Sequence, residues 1–386
     1  PFAIASVCWQ WRNIALSTPE IWACLTACCS DHSAPKRINA MLERSHDRDL
    51  CIWLSWRSGH WRNSSDYELI LSTLGEHMHR WRRVTIAFPQ STPDSTLDFL
   101  RLPMARLEDL FLWVLGATPN LVGRTSAIPL HPRLRRLYND ILFYVPRLPL
   151  RELVYLYIVM DGVAVTDLWI ILQLAPSLQE LCLSSYAHLV GNFVGPPTPL
   201  SLPNLHTLGF YGGCMPLVPW LCQLHLPVLQ VFKVATSTVE YASPVLETVA
   251  QTVTSLVICD ASTFYPFLAE DMDHVRKLHN LRDIVFLDWG FISSDVPTVF
   301  ASREIADLPQ LRRISFVNPT LDDEEAQHVA ALMHSIHALS SAGRGAFSFL
   351  LDASVRTVPA WLLRQYEFLF RRGDDNLSHA VRPNAS

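Results

Sequence analysis

The sequence predicts an α/β solenoid. Three observations carry that expectation: a Leu-x-x-Leu-x-Leu pattern that recurs along the chain, its spacing, and helix-period segments between the copies. The copies are Leu107-x-x-Leu110-x-Leu112, Leu150-x-x-Leu153-x-Tyr155, Leu178-x-x-Leu181-x-Leu183, Leu205-x-x-Leu208-x-Phe210, Leu229-x-x-Phe232-x-Val234, Val253-x-x-Leu256-x-Ile258, Leu281-x-x-Ile284-x-Phe286 and Leu311-x-x-Ile314-x-Phe316. Leu134-x-x-Leu137 is a degraded copy with Asn139 at the third apolar place. First positions are spaced 27, 16, 28, 27, 24, 24, 28 and 30 residues apart. All but one lie near the ~20–29 residues of leucine-rich repeats. One such unit cannot bury its apolar side alone, but stacked units share a continuous core. The repeats are irregular, because the asparagine or cysteine usual after the strand is mostly missing.

Taken in order, Ile4–Leu16 reads as a helix with Val7, Trp11, Ile14 and Ala15 on one side. Ser17-Thr18-Pro19-Glu20 reads as a stop and restart, with Thr18 or Ser17 as cap and proline at the first helical position; Trp22 and Leu25 continue the apolar face. Pro35–Ser45 reads as a helix, Leu50–Trp56 as a strand, Glu68–Arg80 as a helix and Val84–Phe88 as a strand. Between the later copies, Asp161–Leu174, Pro244–Val253 and Pro266–Leu278 carry helical spacing. Asp322–Leu339 is the clearest helix, with Thr320 or Asp322 to cap it and acids in its first turn. Prolines at 176, 203, 227 and 309 introduce several copies, where a residue without an amide hydrogen suits the approach to a ladder. One further helix, Pro359–Arg371, precedes a polar tail.

Composition narrows the function. Of 386 residues 49% are hydrophobic, which is ample for a core, and the net charge of −5 gives no global basic field for nucleic acid. No apolar run approaches the ~20 residues of a membrane-spanning helix. Nine cysteines, an odd number without paired CxxC spacing, read as free thiols of a reducing compartment rather than zinc ligands, Cys24, Cys28 and Cys29 included. The N-x-S/T sequons at Asn63, Asn376 and Asn384 read as chance matches. Lysine occurs only at 36, 233 and 277, through coding bias or to limit acceptors for ubiquitin. The chain opens on Pro1 rather than Met, as a fragment, a processed product or a partial gene model would.

The N-terminus carries a resemblance. Val7-Cys8-Trp9-Gln10-Trp11-Arg12-Asn13-Ile14-Ala15-Leu16-Ser17-Thr18-Pro19-Glu20-Ile21-Trp22 resembles the second half of a fungal, mushroom-type F-box. Leu42-Glu43-Arg44-Ser45 and His79-Arg80-Trp81-Arg82 are similar to later segments of the same family, in which leucine-rich repeats follow. The opening Leu-Pro-x-Glu helix of an F-box is absent. The resemblance implies a partial F-box helical module over 1–30, a strand–helix–strand linker or first irregular repeats over 31–95, repeats over 96–351, and a C-terminal helix and tail over 352–386. It implies a substrate-recognition subunit of a Skp–cullin–F-box ubiquitin ligase, cytoplasmic or nuclear. Its partners would be the Skp-type adaptor with its cullin complex and an unknown target protein, with no cofactor, nucleic acid or membrane. The alternative is a non-catalytic repeat scaffold with no ligase role.

Two surfaces follow as candidates. Val7, Trp11, Ile14, Pro19 and Trp22 either face the adaptor or pack the module against the first repeat. In each copy the fourth and sixth residues point to the core, and the third, fifth and seventh to a concave face. That face offers Phe111, Trp113, Tyr211, Lys233, Asp283 and Arg313 for a target, unless loops fold over it. No Gly-x-Ser-x-Gly elbow or Walker loop occurs, and His77/His79, His274/His279 and His334/His337 lack a third ligand at metal spacing. The arginines at 80, 82 and 83 and at 133, 135 and 136 read as solvated faces, and the chain as no enzyme.

Overall fold

A computed structural model describes residues 1–28, 33–55, 64–89, 102, 104–115, 133–139, 150–160, 165–185, 199–212, 214, 217–235, 239–259, 269–287, 308–317, 323–341, 348–352 and 358–370. The chain forms two compact units, Pro1–Gln179 and Glu180–Ser386. Cys29, Thr320, Asp322, the three sequon asparagines and the polar tail lie outside the described residues.

The first unit is a parallel sheet in chain order: β1 (Cys24–Cys28), β2 (Leu50–Ser55), β3 (Trp81–Pro89), β4 (Asp109–Leu115), β5 (Arg136–Asn139) and β6 (Tyr155–Val159). Helices α1 (Phe2–Val7) and α2 (Trp9–Leu16) precede it, α3 (Ala34–Arg44) and α4 (Ser64–Gly75) link its first strands, and α5 (Val165–Leu174) follows β6. In the second unit β7 (Glu180–Ser185), β9 (Thr207–Gly212), β11 (Val231–Ala235), β12 (Ser255–Cys259), β13 (Asp283–Leu287), β14 (Arg313–Val317) and β15 (Ser348–Asp352) pair parallel in that order. A separate parallel pair is β8 (Leu200–Ser201) with β10 (Leu224–His225). The second unit's helices are α6 (Val218–Leu221), α7 (Val239–Val249), α8 (Ala269–Val275), α9 (Asp323–Ser341) and α10 (Ala360–Phe370). Parallel strands in sequence order, one per repeat, with apolar columns in register, are leucine-rich-repeat architecture.

Two backbone hydrogen-bond motifs, a turn and a shared carbonyl, set that register. The amide of position 1 donates to the carbonyl three residues back and closes a turn: Leu107 to Met104, Leu153 to Leu150, Leu205 to Leu202 and Leu311 to Leu308, at 3.1–3.2 Å. The carbonyl of position 2 then accepts two amides from the next repeat. Glu108 takes those of Arg135 and Arg136 (2.7 and 3.0 Å), Gln230 those of Thr254 and Ser255 (2.9 Å each), and Arg282 those of Arg312 and Arg313 (2.8 and 3.0 Å). The prolines at 176, 203, 227 and 309 sit one turn earlier than the ladder, as the second residue of that turn, where a fixed φ is favourable. The buried column therefore has four members, with one three residues before position 1: Leu202, Leu205, Leu208 and Phe210, for example.

This geometry corrects one frame. Leu150, Leu153 and Leu156 are evenly spaced by three, and the repeat starts at Leu153, not Leu150. Leu156 and Ile158 are the core residues, and Tyr155 lies on the opposite face, in register with Arg136. The first-position spacing after Leu134 becomes 19 residues instead of 16. Four strands belong to the array beyond the expected Leu-x-x-Leu-x-Leu copies, one of them β2, whose Ile52 and Leu54 are buried in register with Leu25 and Ala27. Trp81-x-x-Val84-x-Ile86 and Trp22-x-x-Leu25-x-Ala27 have all six apolar residues buried, and Phe349 and Leu351 are buried on β15. Leu25 is therefore in a strand and not on the helical face expected for it.

The expected first helix is two. Cys8 is extended (φ −156°, ψ 174°) between α1 and α2, and the Arg12 Nε donates to the Ala5 carbonyl at 2.9 Å. Thr18 and Ser17 do not cap the turn that Pro19 begins. Both hydroxyls donate back to the Ile14 carbonyl, at 2.8 and 3.0 Å. Helix α7 starts before Pro244, which lies inside it. Gly212 ends β9 at φ +63°, where a Cβ would stand 2.2 Å from the Ser185 carbonyl oxygen.

The corrected frame has a direct check. Leu156→Ala should lower stability by about 2–5 kcal/mol, and Tyr155→Ala by about 0.5–1.5 kcal/mol. Urea unfolding reads both, and a larger loss for Tyr155 would return the frame to Leu150. The β1–β2 register aligns Cys24 with Cys51. Neighbouring strands are ~4.8 Å apart, within the ~4.4–6.8 Å Cα span a disulfide needs. Mild oxidation should link these two thiols, and peptide mapping that found neither joined to the other would contradict the register.

Candidate functional site

Trp22 is the hinge between the helices and the sheet. It is fully buried at position 1 of the first repeat, and its Nε1 donates to the Ala15 carbonyl at 2.6 Å, in the last turn of α2. The Arg44 guanidinium lies 4.5 Å from its ring centroid and Phe2 packs edge-on at 5.2 Å. Trp81 repeats the device, donating to the Leu74 carbonyl at the end of α4 at 3.1 Å. Each indole adds a second donor to a helix-end carbonyl that also accepts a backbone amide, Thr18 to Ala15 at 3.3 Å and His77 to Leu74 at 3.0 Å. Trp22 thus has no surface to offer an adaptor, and Pro19 is half-buried.

The other three candidates stand outward: Val7 is 68% exposed, Trp11 51% and Ile14 49%. Trp9 is exposed too, and so are Ile4 and Leu16. Six of the eleven exposed large hydrophobics among the described residues fall between Ile4 and Leu16. No residue of α1 is buried, and only Ala15 of α2 is. Scattered surface hydrophobics are ordinary; this concentration on one short helical pair is not.

The outward face of the first unit carries an aromatic row. Position 5 reads Thr26, Trp53, Thr85, Phe111, Tyr138 and Tyr157 in register. Tyr138 stacks on Tyr157 (centroids 4.1 Å apart) and on Phe111 (6.2 Å), with Trp113 edge-on to Tyr138 (6.1 Å) and Tyr155 against Phe111 (6.4 Å). Phe111 and Trp113 are thus brought together, and with them Tyr138, Tyr155 and Tyr157. The slipped frame hid Tyr155 and Tyr157 from the sequence reading. Beside the row, Asp109 lies between Arg83 and Arg136, at 3.4 and 3.5 Å. Arg82 pairs with Glu108 at 2.9 Å. Arg80 is not on a solvated face. It is buried, donating to the Ser45 Oγ (2.6 Å) and the Arg48 carbonyl (3.0 Å).

In the second unit the remaining candidates are mostly committed to each other. Arg313 pairs with Asp283 across β13 and β14 at 3.0 Å. Lys233 Nζ reaches Glu180 at 2.5 Å, passing Gly209, where a Cβ would meet the Cys182 sulfur at 2.8 Å and the Tyr211 ring at 3.0 Å. Burial alone would depress the Lys233 amine, but the Glu180 carboxylate holds it above the usual lysine range. Burial pushes the Cys182 thiol up to about 12, opposed by the Lys233 charge.

Elsewhere, Ser243 Oγ stands 2.9 Å from His274 Nδ1 and 2.8 Å from Lys277 Nζ, and Lys277 also meets Glu247 at 2.7 Å. Ser243 is buried, and this cluster ties α7 to α8. His77 and His79 rings lie 6.3 Å apart, and burial and Arg80 lower the His77 pKa. His334 meets Gln365 of α10. Among the described residues no group of three His, Cys, Asp or Glu is placed to hold a metal ion, and no helix is long and apolar enough to cross a membrane.

No family model matches the chain, and no curated protein does. Among solved structures, an internalin from Listeria monocytogenes str. 4b F2365 is similar at 12% identity with a TM-score of 0.29, over 91% of this chain and 86% of that one. The repeat architecture here stands on the strand register.

The raised Cys182 pKa has a definite sign. The folded chain keeps a proton that the unfolded chain releases above the ordinary thiol value of 9.0. The stabilisation is full below that pH and is lost as pH rises towards about 12. The expected slope is about 1.4 kcal/mol per pH unit. Cys182→Ala should flatten the stability–pH curve above pH ~9 by that amount; an unchanged slope in chemical denaturation would show that the thiol is not held neutral.

Proposed function

We propose that the chain is a recognition subunit of a Skp–cullin–F-box ubiquitin ligase, holding the adaptor with α1 and α2 and a target protein with the outward face of its repeats. The observation that carries this reading is the exposed apolar concentration from Ile4 to Leu16, on the stretch that resembles an F-box. A helical pair that leaves Val7, Trp9, Trp11 and Ile14 in water has an apolar surface for a partner to cover. The stacked Phe111, Tyr138 and Tyr157, with Trp113 edge-on, supply the rigid aromatic anchors typical of protein-binding hot spots. In this reading the chain performs no covalent chemistry. It raises the local concentration of target amines near a charged conjugating enzyme.

Calorimetry of the chain against a purified Skp-type adaptor tests the reading. Binding is expected, and Trp11→Asp should weaken it at least ~10-fold, or about 1.4 kcal/mol, without changing the unfolding transition. Trp53→Asp, on the outward sheet face, should leave it unchanged. Absence of binding by a cooperatively folded chain would leave the repeat scaffold without a ligase role.

A further inference from the structure

The three lysines of this chain do not offer equal amines. Lys233 is only 26% exposed, and its Nζ stands 2.5 Å from the Glu180 carboxylate, which keeps it protonated. Lys277 spends two of its protons on Ser243 Oγ at 2.8 Å and Glu247 Oε1 at 2.7 Å, and is tied down where α7 meets α8. Lys36 differs on each count. It is exposed on the third residue of α3, and it has no ion pair among the described residues. Its own helix cannot supply one, because the residues three and four further on are Asn39 and Ala40. The buried side of α3 is Ala34, Ile38, Met41 and Leu42, so the amine projects away from the core.

We infer that Lys36 is the side-chain acceptor for acyl transfer to the folded chain, ubiquitin above all. The ubiquitin part rests on the ligase reading. The chemistry is aminolysis of a thioester, with the charged conjugating enzyme as co-reactant. The deprotonated Nζ attacks the carbonyl carbon of ubiquitin's C-terminal glycine, a C–N bond forms and the C–S bond to the enzyme's cysteine breaks. The cysteine leaves as thiolate, and the amine's surplus proton passes to it or to solvent. An amine must be unprotonated and mobile to do this, and an ion pair to a carboxylate opposes both. Position favours Lys36 as well. Arg44, on the same helix, packs over Trp22, which anchors α2. Lys36 is eight residues from Arg44, about 12 Å along the axis. The acceptor therefore lies within the same packed body as the helical pair assigned to the adaptor.

Limiting N-hydroxysuccinimide acetate on the native chain, followed by peptide mass spectrometry, measures selectivity without any ligase. Lys36 should acetylate at least ~10-fold faster than Lys233 or Lys277, because their ion pairs and hydrogen bonds hold those two amines in place; comparable rates at either would overturn the inference. Denaturing the chain first should make the three equal. A reconstituted reaction with adaptor, cullin and charged conjugating enzyme then tests the ubiquitin part. Lys36→Arg should lose most conjugates while adaptor binding by calorimetry stays intact. Conjugates on Lys36→Arg at the wild-type level would overturn it, and so would an adaptor-bound wild-type chain that takes no ubiquitin. A chain that fails to bind adaptor ends the ligase reading instead, and the acetylation rates alone then decide whether Lys36 is the reactive amine.

Discussion

The structure depends on a constraint in the backbone: the position-2 carbonyls of Glu108, Arg135, Gln230 and Arg282 each receive two amides from the next repeat, 2.7–3.1 Å away. Side chains alternate along a strand, so a slip of one residue would send every leucine of that strand to the wrong face. The turn before position 1 fixes where the chain enters the sheet, and the shared carbonyl fixes what it meets there. Given those two, the columns of Leu, Ile and Phe follow. Phe286 stacks on Phe316 at 4.8 Å because they hold the same place in consecutive repeats.

The same register arranges charge. Arg83, Asp109 and Arg136 are partners across three strands, as are Asp283 and Arg313 across two. Arginine clusters that look basic in sequence are offset by acids one repeat away, which a linear reading cannot see. Such half-exposed pairs contribute little to stability, typically under ~1 kcal/mol each. Their effect is selective: they lower the net field of the face and leave the aromatic row as its main chemical feature.

Much of the fold was legible because leucine, isoleucine and phenylalanine recur at a fixed spacing that periodic burial demands. What escaped did so for identifiable reasons. Trp22 and Trp81 stand where later repeats have leucine, and a helix-capping indole reads as an interface residue when only its neighbours in sequence are visible. Leu150, Leu153 and Leu156 satisfy the three-residue spacing in two frames, and Tyr155 is apolar enough to pass for a core residue. The aromatic surface was glimpsed through Phe111 and Trp113, but Tyr138 and Tyr157 join them only across strands. Helical content before Pro19 was legible from its apolar spacing, while the break at Cys8 and the burial of Trp22 were not.

Trp22 makes the border between head and array a single shared side chain. Its ring completes the first column of the sheet, and its N–H ends the last turn of α2. A cut placed just after the helices strips the ring of Phe2 and of the Ala15 carbonyl and leaves an indole with a lost acceptor at the raw edge of a sheet. The structural unit is therefore helices and first strands together, so the head cannot be removed from this chain without carrying a piece of the array along with it.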